Sequence, residues 1–141
     1  MSLTGMLRYG VAAALSVALA GCGSTETITQ TAFERQAADG ASVFSAAATT
    51  LRFVHADPAD FTVEYGAGSM INYDDQVASL PDDLPTAAGA PDQATVARLV
   101  DAITPAVDAI ANPCLLPDCD WQSQVEALES GKEALLGSIG E

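Results

Sequence analysis

The chain has 141 residues and carries nineteen acidic side chains against five basic ones, a formal charge of −14. Length alone points to one domain. A surface this negative repels phosphates, which argues against nucleic acid as a partner and against charge-driven attachment to an anionic lipid surface.

Met1 to Arg8 is a short leader with one positive charge, and Val11 to Leu19 is apolar apart from Ser16. That run has the length of a secretory signal core and falls short of the ~20 apolar residues that span a bilayer. It closes on Leu19-Ala20-Gly21-Cys22, which resembles the lipobox of bacterial lipoprotein precursors. The resemblance implies cleavage between Gly21 and Cys22, a diacylglyceryl group on the Cys22 thiol, and a further fatty acyl group, typically palmitate, on the new amine. Two or three acyl chains give a lasting hold where one chain is marginal. The leader departs from the family pattern only in having a single basic residue. Gly23 lacks the aspartate linked to inner-membrane retention in enteric lipoproteins. The expected site is therefore the cell envelope, on the outer face of the cytoplasmic membrane or at the outer membrane.

Residues 1–21 form the expected signal peptide, 22–30 the lipidated cysteine and tether, and 31–141 an acidic helical domain. After position 21, four basic residues face all nineteen acids, a formal charge of −15. Cys114 and Cys119 remain as an even pair in an exported chain, and the proline turn between them suits a disulfide. Gly23 to Gln30 is small and polar, a tether of at most ~28 Å.

Thr31-x-x-Glu34 matches a capping box. A first helix should follow, with Phe33, Ala37, Ala41, Phe44, Ala48, Leu51 and Val54 on one stripe. Asp57-Pro58 should stop it, because the residue before proline is pushed out of the α region. The next stretch reads two ways. Phe61, Val63 and Tyr65 alternate like a strand, Gly66 to Ser69 could turn, and Met70 to Tyr73 could return as a hairpin over 61–73. The favoured reading is a helix, with a break at the two glycines left open, and with Phe61, Tyr65, Met70, Tyr73, Val77 and Leu80 on one stripe. Pro81 to Pro91 reads as a loop. From about Asp92, Val96, Leu99, Val100, Ile103, Val107 and Ile110 make the clearest stripe, with a bend expected at Pro105 and an end at Asn112-Pro113. Asp120 should cap a last helix with Trp121, Val125, Leu128, Leu135 and Ile139 inward and Glu129 and Lys132 outside. The fold expected is all-α, a small bundle of three to four helices, with the short cysteine link joining an antiparallel pair.

Chemistry is sparse. His55, the only histidine, should complement the dipole at the end of the first helix. There is no Gly-x-Ser-x-Gly elbow, and Ser130-Gly131-Lys132 lacks the preceding glycine of a phosphate loop. Nothing asks for a cofactor. Asp118, Asp120 and Glu129 fall at three of the spacings of a calcium loop, but Gln122 rather than an acid holds the fifth position and Ser123 replaces the turn glycine. They are weak metal candidates, and the expectation is no metal site. Tyr65, Tyr73 and Trp121 could line a small groove, though core and rim packing is the far commoner reason for such residues. The expected role is a non-enzymatic interaction or accessory lipoprotein with a basic protein partner. The alternative is a solute- or ion-binding lipoprotein using the acidic clusters or an inter-helix groove.

Overall fold

Thr31 and Glu34 close the first helix as their spacing requires. The Glu34 amide donates to Thr31 Oγ1 at 3.1 Å, and Glu34 Oε1 accepts from the Thr31 amide at 2.9 Å. The structure, a computed structural model, describes residues 29–56 and 63–140. The leader, the Leu19–Cys22 motif, most of the tether and the Asp57-Pro58 stop lie outside the described residues.

Helix α1 (Ala32–Ala56) buries all seven residues of its expected stripe. Helix α2 (Val63–Val77) bears out the favoured helix over the hairpin, and it runs unbroken through Gly66 and Gly68, where a break was open. No strand occurs among the described residues. The reason lies in close packing. Gly66 is buried, and a Cβ there would stand 2.8 Å from Val54 Cγ2 and 3.4 Å from a Leu115 methyl. Met70 and Val77 face inward as expected, whereas Tyr65 turns outward and is 62% exposed.

The loop expected over 81–91 is shorter than the proline count suggests. Helix α3 (Leu80–Asp83) and a 3-10 turn (Leu84–Thr86) occupy its first part. Pro81 and Pro85 each stand at the start of a helical turn, where a missing N–H goes unmissed. Leu80 and Leu84, four apart, are buried and hold these turns on the core. The true loop then docks on α1. The Phe33 amide donates to the Ala88 carbonyl at 2.9 Å, satisfying another donor of the α1 start. Gly89 adopts a φ of +89°, and a Cβ there would lie 2.4 Å from Thr31 Cβ. Only glycine meets both conditions.

Helix α4 (Gln93–Ala111) starts at its expected cap. Asp92 accepts from the Thr95 amide at 3.0 Å and from the Thr95 hydroxyl at 2.9 Å. These two bonds, the amide first, hold the Asp92 carboxyl below its ordinary range. The helix continues past the exposed Pro105 to Ala111, and its Val96, Leu99, Ile103 and Ile110 are buried. Helix α5 (Trp121–Ser138) is capped by Asp120, which accepts from the Ser123 amide at 3.2 Å. It packs on both α1 and α4. At its crossing with α4, a Cβ on Gly131 would lie 2.8 Å from Ala106 Cβ and 3.1 Å from the Phe44 ring. The architecture is thus an all-α bundle with four long helices among the described residues, and small residues set its spacing. No helix among the described residues is long and apolar enough to cross a membrane.

Candidate functional site

The link between α4 and α5 is held by several side chains. The Cys114 and Cys119 sulfurs lie at disulfide distance, with Cα atoms 5.9 Å apart. The Gln124 carboxamide clamps the link. Its Oε1 accepts from the Cys114 amide at 2.7 Å, and its Nε2 donates to the Asn112 carbonyl at 2.9 Å. His55 reaches across from the last turn of α1, its Nε2 2.7 Å from the Cys114 carbonyl oxygen. A carbonyl only accepts, so Nε2 carries the hydrogen. The imidazole also stacks on Trp121, centroids 4.7 Å apart and planes 5° from parallel. The one histidine therefore bonds the cysteine link rather than serving only its own helix end. Nothing in the sequence pairs residue 55 with residues 114 and 121, so this contact was invisible there.

The weak metal candidates do not come together. Asp120 is occupied at the α5 cap. Glu129 sits farther along α5 and takes Arg52 at 2.9 Å and Lys132 at 3.1 Å. No group of three or more His, Cys, Asp or Glu residues suited to a metal occurs among the described residues. The hydrogen bond from Arg52, then that from Lys132, holds the Glu129 carboxyl below the ordinary glutamate range. Meanwhile Asp75, Asp82, Asp101, Asp108, Glu126 and Glu133 are exposed.

Two grooves lie along the seam of α1 with α2 and α3, and Ser42 borders both. The first, of ≈ 440 Å³, takes Gln36 and Asp39 from α1, Gln76 from α2, and Ser79 and Asp83 from the turn and α3. Ser79 Oγ donates to Asp83 Oδ2 at 2.9 Å. The Gln36 side-chain oxygen is buried and has no hydrogen-bond partner, which marks an acceptor still lacking a donor. The second groove, of ≈ 460 Å³, is lined by Ser45, Thr49, Thr50 and Phe53 of α1 and by Tyr65, Ser69 and Tyr73 of α2. The helical spacing brings Tyr65 and Tyr73 to one groove, as the sequence allowed, but Trp121 is stacked on His55 instead. The serines and threonines of α1 went unnoticed because they sit among alanines and carry no motif.

Compared with protein families, curated proteins and solved structures, the chain has no match.

Proposed function

We propose that the chain is a non-enzymatic envelope lipoprotein, held by acyl groups on Cys22, that presents carboxylates to a basic protein partner. The Leu19–Cys22 motif supports the anchor. The observation that carries the partner class is the pairing at Glu129. Two of the four basic residues beyond the leader converge on that one carboxylate. Only Arg35 and Arg98 remain to balance the exposed carboxylates of the described residues, whose excess negative charge favours an outside cation. Carbodiimide crosslinking in intact membranes tests this, because it joins a carboxylate to a lysine only at direct contact. The expected result is a discrete crosslinked species that fades as salt rises. Its absence removes the proposed partner. Detergent partitioning of Cys22→Ser tests the anchor separately, and continued partition into the lipid phase rejects it.

A second reading has its own support. The first groove joins Asp39 and Asp83 to an unpartnered Gln36 oxygen, a set that suits a cationic solute with several donors. Calorimetric titration with calcium and with spermidine distinguishes it: stoichiometric heat with either favours solute binding.

A further inference from the structure

We propose that the second groove, between α1 and α2, binds a neutral saccharide. Four observations converge on that chemistry.

Among the described residues, the lining carries no carboxylate, lysine or arginine, in a chain with a formal charge of −14. An ion of either sign finds no counter-charge on these side chains. The hydroxyl protons are directed. Thr49 donates to the Ser45 carbonyl at 3.1 Å, and Thr50 donates to the Ala46 carbonyl at 3.0 Å. With its one proton committed, Thr50 must accept from Tyr73 Oη at 3.3 Å. Thr49 Oγ1 and Tyr73 Oη are left with lone pairs, while the Ser45 and Ser69 hydroxyls keep protons that can rotate to suit a ligand. The groove therefore offers acceptors and donors side by side. A sugar hydroxyl, which both gives and accepts, matches that alternation.

Phe53 and Tyr65 supply the third observation. They border the groove with 56% and 62% of their surfaces exposed. The electron-rich face of an aromatic ring attracts the slightly positive C–H face of a pyranose. Size is the fourth. A volume of ≈ 460 Å³ lies within the range of small-ligand sites. An acyl chain would fit that volume but would strip water from several hydroxyls and return no hydrogen bond.

Saturation-transfer NMR on the full-length protein in a detergent without a sugar headgroup tests the proposal. The probes are maltotriose, mannotriose and chitotriose, which differ at the 2-position by an equatorial hydroxyl, an axial hydroxyl and an acetamido group. Transfer from aromatic protein protons to at least one of them is expected. Tyr65→Ala and Ser69→Trp should each weaken that binding at least tenfold, the first by removing the ring and the second by filling the groove. Tyr65→Phe should retain it. Unchanged far-ultraviolet helical dichroism and a cooperative urea transition certify that each variant is folded. No transfer to any of the three sugars overturns the proposal. So does transfer that survives both groove variants, or transfer abolished by equimolar spermidine.

Discussion

Gly131→Ala sets two known effects against each other at one atom. Replacing a helical glycine with alanine ordinarily stabilises by about 1 kcal/mol, since the unfolded chain has less freedom to lose. At position 131 the new methyl would sit 2.8 Å from Ala106 Cβ and 3.1 Å from two Phe44 ring carbons. Ala106 has no flexible end to swing away, so α4 and α5 must part by close to an ångström. Overpacking of that kind costs about 1–3 kcal/mol. The net expectation is a loss of about 1 kcal/mol. Gly68 in α2 is the internal control, because a Cβ there meets nothing within 4 Å. Gly68→Ala should gain most of the propensity term, which puts the two variants about 2 kcal/mol apart. Equilibrium urea unfolding followed by Trp121 fluorescence measures both. Adding Ala106→Gly to Gly131→Ala should recover part of the loss, in a double-mutant cycle. If Gly131→Ala stabilises as much as Gly68→Ala, the α4–α5 crossing is not as close as described.

Other perturbations have definite signs. Glu129 is held ionised by Arg52 and Lys132, so its native carboxyl binds a proton less readily than the unfolded one. The stability it contributes is present above the ordinary glutamate value of 4.5 and is lost as pH falls through the lower native value. Arg52→Ala should cost well under 1 kcal/mol at pH 7 for so exposed a pair, and the difference from the parent should fade as pH falls below the ordinary glutamate value and shrink in high salt. His55→Ala leaves the Cys114 carbonyl without its donor and Trp121 without its stacked ring, an expected loss of about 1–2 kcal/mol. Near-ultraviolet dichroism of Trp121 should fall in the same variant, and an unchanged spectrum would contradict the stacking. Thr31→Ala removes one half of the capping box and should cost about 1 kcal/mol in urea titration, whereas Thr31→Ser should be close to neutral.

Local signals in the sequence carried the helix boundaries well. Thr31-x-x-Glu34, Asp92 and Asp120 each announce a helix start through a side chain that meets its amide within three residues, and all three caps form. The apolar stripes of α1, α4 and α5 follow from spacing alone. Glycine and proline are a mixed guide: Asn112-Pro113 ends α4 as expected, but two other positions depart from the expectation. Gly66 is a contact surface for Val54 rather than a break, and Pro81 opens a helical turn that Leu80 and Leu84 pin to the core. Both outcomes depend on partners far along the chain. The grooves were less legible still. Spacing placed Tyr65 and Tyr73 on one helix, but which helix they face, and that Ser45 and Thr49 lie opposite, depends on how α1 and α2 pack.

The entry of the chain into the bundle has a mechanical corollary. Thr31 is bonded to Glu34, the neighbouring Phe33 amide is held by the Ala88 carbonyl, and Gly89 is seated against the Thr31 side chain. Tension arriving along the upstream backbone is thus shared at once between the first turn of α1 and a loop that leads directly into the Asp92 cap of α4. Such a clasp resists peeling one residue at a time. Drag on the body of the protein would load two helices together before either began to unwind.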